Sequence, residues 1–162
     1  MGRELLSEAV EKHQIQAQRA LFDAAHLCLE VIDHCESLEL DWIAGCQSNR
    51  VVIGSSGHGV SLGQYVQQIP ASAYRKVMVR GKQYLVFTKV VRMRSLKRRV
   101  RIAAVHEEED LFDQPRLLVT HRNDWDRAKI VRLYARRWAV QGAAAAHKNG
   151  LCYWHVPVLE QD

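Results

Sequence analysis

The sequence contains no apolar run of membrane-spanning length and no closely spaced pair of cysteines. A transmembrane helix needs about 20 consecutive apolar residues, and the residues after Met1 do not begin a signal peptide. We therefore expect a cytoplasmic protein without a membrane partner. The four cysteines, Cys28, Cys35, Cys46 and Cys152, form no C-x-x-C pair, which argues against a zinc ribbon and against a secreted disulfide framework. We expect buried free thiols rather than a metal site.

Acidic residues are absent from residues 75–101, although this stretch contains eleven Lys and Arg residues. Residues 1–41 contain nine acids and three bases, and the net charge of the whole chain is +5. Such an asymmetry predicts that one face of the protein meets a polyanion. A solvated strand surface, protected by Lys and Arg against edge-to-edge pairing, would have the same composition. The charge distribution alone does not decide between these two interpretations.

The pattern of apolar residues predicts an α/β fold in a single domain over residues 1–162. A β-rich insertion over about residues 50–113 is predicted to form an antiparallel sheet, and a long helix over residues 124–148 follows it, with Asn123 and Asp124 as its cap. The glycine-rich segment 54–59 lacks the Gly-Lys-Ser/Thr ending of a phosphate-binding loop and predicts a turn. Further helices are predicted over 4–16, 24–38 and 62–68, and strands over 19–22, 41–46, 75–79, 83–93, 100–105 and 116–120.

The long predicted helix carries a spaced set of polar residues. Tyr134 is followed after two residues by Arg137, after three more by Gln141 and after six more by Lys148. This pattern resembles the signature helix of insertion-sequence transposases of the DDE (Asp-Asp-Glu) class, which have Glu where this chain has Gln141. Segments 21–26, 35–50, 74–82 and 118–126 are also similar to that family. The resemblance implies an RNase H-like fold, incomplete because the chain is truncated at both ends relative to the family.

The resemblance also implies a metal-dependent reaction. Enzymes of this class cut DNA with two Mg²⁺ ions, and Mg²⁺ prefers oxygen ligands. The resemblance places Asp23 at the second metal-binding Asp and Gln141 at the Glu, while the first Asp belongs to a strand that the family has upstream of Met1. An amide is a neutral ligand, so we expect poor Mg²⁺ binding and no detectable DNA cleavage. Read without the resemblance, Asp23 is more simply a turn or cap residue, and His26 beside it fills space.

The resemblance further implies that Tyr134, Arg137 and Lys148 contact DNA, whereas the periodicity of the helix places Trp138 in the core. Phosphate contacts are also expected from the basic strands, through Arg75, Lys76, Arg80, Lys82, Arg98 and Arg99.

Three functions remain open at this level. The chain is a DNA transposase domain fragment that has lost strand cleavage and transfer, or it is a DNA-binding module that regulates a full-length transposase. Such a module would occupy the transposon ends or join the transposase assembly, and its DNA binding would weaken steeply with salt. The third alternative, an unrelated small α/β protein, requires all the motif matches to be accidental.

Overall fold

The computed structural model describes residues 18–107, 114–146 and 158–160, and shows a mixed α/β protein. Within these residues a nine-stranded sheet packs against three α-helices, with short 3-10 turns between them. The predicted helix over residues 4–16 and the residue Lys148 lie outside the described part. The strands are β1 (Arg19–Phe22), β2 (Asp41–Gly45), β3 (Val51–Ile53), β4 (Gly59–Ser61), β5 (Arg75–Val79), β6 (Lys82–Met93), β7 (Arg98–Glu107), β8 (Arg116–Thr120) and β9 (Val158–Glu160). The helices are α1 (Leu29–Ser37), α2 (Leu62–Gln67) and α3 (Arg127–Ala146).

The strands form one continuous sheet in the order β4-β3-β6-β7-β8-β2-β1-β9, with β5 paired to β6. β1 and β2 are parallel and connected through α1, whereas every other pairing is antiparallel. The predicted β-rich insertion therefore extends the same sheet, because its strand β7 pairs with β8. β9 pairs with the other side of β1, which places β1 inside the sheet.

Each face of the sheet has its own apolar core. On one face, here called the α1 face, Phe22, Trp42 and Ile102 pack with Ile32 and Cys35 of α1, and α2 adds further apolar residues. On the other face, the α3 face, the strands pack against the apolar side of α3 through Leu21, Ile43, Val105, Ile130 and Val131. Burial on both faces explains why the central strands have short, continuous apolar runs.

The boundaries of two predicted helices differ from the observed ones. Residues 24–26 form a 3-10 turn and α1 begins only at Leu29. α3 begins at Arg127, and its cap is Asp126, whose Oδ1 accepts a hydrogen bond from the Lys129 N–H at 2.7 Å. The predicted cap at Asn123 and Asp124 was wrong, because Asp124 forms an ion pair with Arg122 instead. The strands predicted over residues 75–79 and 116–120 are confirmed.

The cysteines are partly as predicted. Cys35 and Cys46 are buried free thiols, and burial raises the pKa of each to about 12. Cys28 is free but exposed at the residue that precedes α1, so the prediction of burial was wrong there. Cys152 lies outside the described residues.

Candidate functional site

Asp23 directly follows β1 and begins the 3-10 turn that leads towards α1. Its Oδ1 accepts hydrogen bonds from the Ala25 N–H at 3.1 Å and from the His26 ring at 2.8 Å. Capping of this kind satisfies a backbone donor at the start of a helical turn. Asp23 therefore has the structural role that a turn aspartate usually has, and His26 is held by that carboxylate.

The helix α3 brings two of the motif residues to the same place. The Tyr134 hydroxyl donates a hydrogen bond to the Phe22 carbonyl at 3.1 Å, and Arg137 Nη2 lies 3.4 Å from Asp23 Oδ2. Tyr134 is 4% exposed and Arg137 is 3% exposed. Burial also raises the pKa of the Tyr134 hydroxyl, so it remains a neutral donor. Together with Asp23 and His26 these residues form what we call the Asp23 cluster.

Gly45 makes room for this arrangement at the end of β2. A Cβ at Gly45 would lie 2.9 Å from the Tyr134 hydroxyl and 3.2 Å from the Ala24 nitrogen. A glycine inside a strand often marks such a close approach. The importance of Gly45 was missed at the sequence level, although a glycine at the end of the strand pattern was the available signal.

The residues of the helix motif differ in burial and in the contacts that they make. Tyr134 and Arg137, expected to contact DNA, are buried and contact the end of β1, so this geometry favours a structural role and their DNA contact stays a prediction. Trp138, expected in the core, is half-buried; it packs edge-on against Tyr134 at 5.5 Å and lies 4.4 Å from the Arg116 guanidinium. Gln141 belongs to α3, four residues after Arg137, and its side chain lies outside the described part.

The Asp23 cluster does not fit Mg²⁺. One carboxylate oxygen of Asp23 accepts from Ala25 and His26, and the other faces the guanidinium of Arg137. A cation at this carboxylate would be repelled by that guanidinium, and Mg²⁺ needs several oxygen ligands. Among the residues that the structure describes, no group of three or more His, Cys, Asp or Glu side chains could hold a metal ion.

The predicted DNA-contacting bases do not share one face of the sheet. Successive strand residues point to opposite faces, so Arg75, Lys82 and Arg99 lie on the α3 face and Lys76 and Arg98 on the α1 face. Arg80 lies in the hairpin turn between β5 and β6, where its φ of 52° is followed by a φ of 76° at Gly81. The expectation of one basic face is therefore corrected: the bases are divided between two faces and a turn.

Several of these bases are already engaged by the protein. Arg98 forms ion pairs with Asp33 and Glu36, which join β7 to α1. Lys82 forms an ion pair with Glu107 at 2.7 Å, and the guanidinium of Arg75 donates to the carbonyls of Ser72 and Tyr74. Arg98 is thus a link between helix and sheet, and its charge is compensated locally.

Arg92 and Arg99 differ from the engaged basic residues described above. They are directly opposite each other in the β6–β7 pairing and both are exposed, and we call them the arginine pair. In the described ranges neither has an acidic partner within ion-pair distance. Like charges directly opposite in a sheet destabilise it, and residues 42–106 contain no Asp or Glu to compensate them. An anion bound at this pair would relieve the repulsion.

No helix within the described residues combines the length and apolarity needed to cross a membrane.

Comparison with known proteins adds no family assignment. No protein-family model matches the chain, and no curated protein matches it significantly. Function must therefore be inferred from the residues and contacts of this chain.

Proposed function

We propose that this chain is part of the RNase H-like catalytic domain of a DDE-class DNA transposase that no longer cleaves DNA. The observation that carries the proposal is the contact of the motif helix with the aspartate at the end of β1. Tyr134 and Arg137, which the motif names, meet Phe22 and Asp23 across 112 and 114 residues of sequence. This contact supports the proposal because the resemblance expects the motif helix and the aspartate that follows β1 to meet at one site.

Two features support the loss of cleavage. Gln141 replaces the carboxylate that the family uses, and a neutral amide compensates no metal charge. The remaining carboxylate, Asp23, is compensated by Arg137 and hydrogen-bonded to His26. We therefore expect no Mg²⁺-dependent turnover. Incubation of the protein with a supercoiled plasmid in Mg²⁺ or Mn²⁺ should leave the plasmid intact, and robust nicking would overturn this part of the proposal.

The proposed relationship to DDE-class transposases is tested by restoring a carboxylate at position 141. Residues four apart on a helix are neighbours, so Gln141→Glu is expected to place a second carboxylate near Asp23. In NMR spectra the variant should show Mn²⁺-dependent broadening of the Ala24 and Ala25 amides, and the wild-type protein should not. The control Gln64→Glu adds the same charge on α2, and Asp23→Asn in the Gln141→Glu background should abolish the broadening. If Gln141→Glu behaves like the Gln64 control, the added carboxylate restores no cation site and the proposal fails.

A second candidate function, a non-catalytic DNA-binding module, is favoured by the arginine pair. Two adjacent, uncompensated guanidiniums on an exposed strand surface suit consecutive phosphates of a DNA backbone. Such a module would bind transposon ends and regulate a full-length transposase, either by occupying those ends or by joining its assembly.

Salt dependence of DNA binding tests this second function. Each phosphate neutralised contributes about −0.9 to the slope of log K against log salt for duplex DNA. Fluorescence anisotropy with a labelled duplex should show salt-sensitive binding, and Arg92→Gln/Arg99→Gln should lower the magnitude of the slope by about 2. Lys89→Gln removes another exposed charge of β6, outside the pair, and is the matched control. Binding that is absent or insensitive to salt would eliminate the DNA-binding module.

A further inference from the structure

A pocket of about 360 Å³, lined mainly by residues with polar side chains, lies between the segment that follows β2 and the connection from β6 to β7. No carboxylate among the described residues lines it, and it shares no lining residue with the Asp23 cluster. The pocket is lined by Gln47, Asn49, Arg50, Val51, Arg94 and Ser95.

Backbone hydrogen bonds hold one wall of the pocket in place. The Arg50 N–H donates to the Gln47 carbonyl at 3.3 Å, which closes a turn. The first residues of α2 then fasten this turn, because the Leu62 N–H donates to the Arg50 carbonyl at 2.7 Å and the Gly63 N–H to the Ser48 carbonyl at 2.8 Å. This wall is therefore preorganised, which lowers the entropy cost of ligand binding.

The guanidinium of Arg50 is fixed across the pocket. Its Nη2 donates to the Leu27 carbonyl at 2.6 Å and its Nη1 donates to the Ser95 hydroxyl at 3.1 Å. A guanidinium has five N–H donors, so these two bonds leave further donors for a ligand. Arg50 thus also connects the two walls, since Ser95 belongs to the opposite one.

Arg94 supplies the second charge. It is exposed, and its guanidinium lies against Gly59 of β4, where a Cβ would fall 2.6 Å from Nη2 and 3.3 Å from Cζ. Gly59 therefore permits this placement, and a larger residue would displace the side chain. No acidic side chain pairs with Arg94 among the residues described.

We propose that Arg50 and Arg94 form a phosphate-binding pocket. Guanidinium groups bind phosphate through paired N–H···O bonds, and the side-chain amides of Gln47 and Asn49 add neutral donors. The pocket does not depend on the transposase proposal, because it uses neither the Asp23 cluster nor the arginine pair. A phosphate monoester at a DNA end, a phosphodiester of the DNA backbone and inorganic phosphate all present the same tetrahedral oxyanion to it.

Isothermal titration of the full chain with inorganic phosphate at constant ionic strength tests the pocket directly. Arg94→Gln should weaken phosphate binding about tenfold, because a hydrogen bond to a charged group is lost. Lys89→Gln, which removes an exposed positive charge of β6 outside the pocket, should leave binding unchanged. Arg94 is exposed, so its replacement leaves the core intact, and a superimposable circular dichroism spectrum checks this. Absence of phosphate binding to the wild-type protein, or equal weakening by both variants, would overturn the proposal.

Anisotropy with duplexes that carry or lack a 5′ phosphate then identifies the source of the phosphate. Loss of affinity in Arg94→Gln for the phosphorylated duplex alone supports a terminal monoester, and equal loss for both duplexes supports a backbone phosphodiester. Loss of inorganic phosphate binding with unchanged DNA affinity supports the free anion. In each case the pocket stands even if the plasmid and Mn²⁺ experiments contradict the transposase proposal.

Discussion

Replacement of Arg99 by Glu is expected to stabilise the fold and weaken DNA binding at the same time. Arg99 lies directly opposite Arg92 in the β6–β7 pairing, with no acidic partner in the described residues. With charge centres about 6 Å apart in water, each such pair interacts by roughly 0.7 kcal/mol. Reversing one charge removes a repulsion and adds an attraction, a gain of roughly 1.4 kcal/mol that screening at physiological salt reduces to about 0.7 kcal/mol. This agrees with the roughly 0.2–1 kcal/mol measured for cross-strand pairs.

Urea denaturation measures this gain. With a slope of about 2 kcal/mol per molar urea, the unfolding midpoint of Arg99→Glu should rise by about 0.3 M at physiological salt. The gain should disappear in 1 M salt, where the screening length is about 3 Å. Lys89→Glu is the matched control, because Lys89 lies opposite the apolar Ile102 and its replacement relieves no like-charge contact.

The same variant should bind duplex DNA more weakly, with a salt slope smaller in magnitude by about 1 to 2. The variant should thus be more stable but bind DNA more weakly. This combination distinguishes a DNA-binding role of the arginine pair from a structural role. If Arg99→Glu lowers the urea midpoint, or if its effect on the midpoint does not depend on salt, the like-charge interpretation of the arginine pair is refuted.

Three further predictions concern the two cores and the Asp23 cluster. Asp23→Asn should lower the urea midpoint, because the buried Arg137 loses a carboxylate; an unchanged midpoint would contradict a structural role for Asp23. Gly45→Ala should cost about 1–3 kcal/mol through the clash with the Tyr134 hydroxyl, and Tyr134→Phe in that background should recover part of the loss in thermal melts. The free energy of unfolding should fall between pH 9 and pH 12, because burial raises the pKa of Cys46 from 9.0 to about 12 and only the unfolded thiol ionises in that window. In Cys46→Ala the fall should be smaller, and an identical pH profile would contradict this assignment.

Much of the secondary structure could be predicted because it depends on local patterns. β5 was found at its observed bounds from its apolar positions and from the Arg80-Gly81 turn that follows it. The start of α3 was placed wrongly because three acidic or amide residues compete for its cap within four positions. The choice of Asp126 depends on the ion pair that engages Asp124 with Arg122, and Arg122 also pairs with Asp41 in a distant strand.

What the sequence by itself determined is the α/β class and the spacing that brings α3 to the end of β1. Only the tertiary structure decided which side chains remain available to bind a ligand, because a side chain is available only where no residue distant in the chain already engages it. Arg137 is buried against Asp23, and Arg98 pairs with acids of α1 more than 60 residues away. Arg92 and Arg99 are brought face to face by the hairpin register. The sequence shows how many basic residues the strands contain, but strand pairing determines the face and the partners of each one. These faces and partners determine which basic residues can bind an anion.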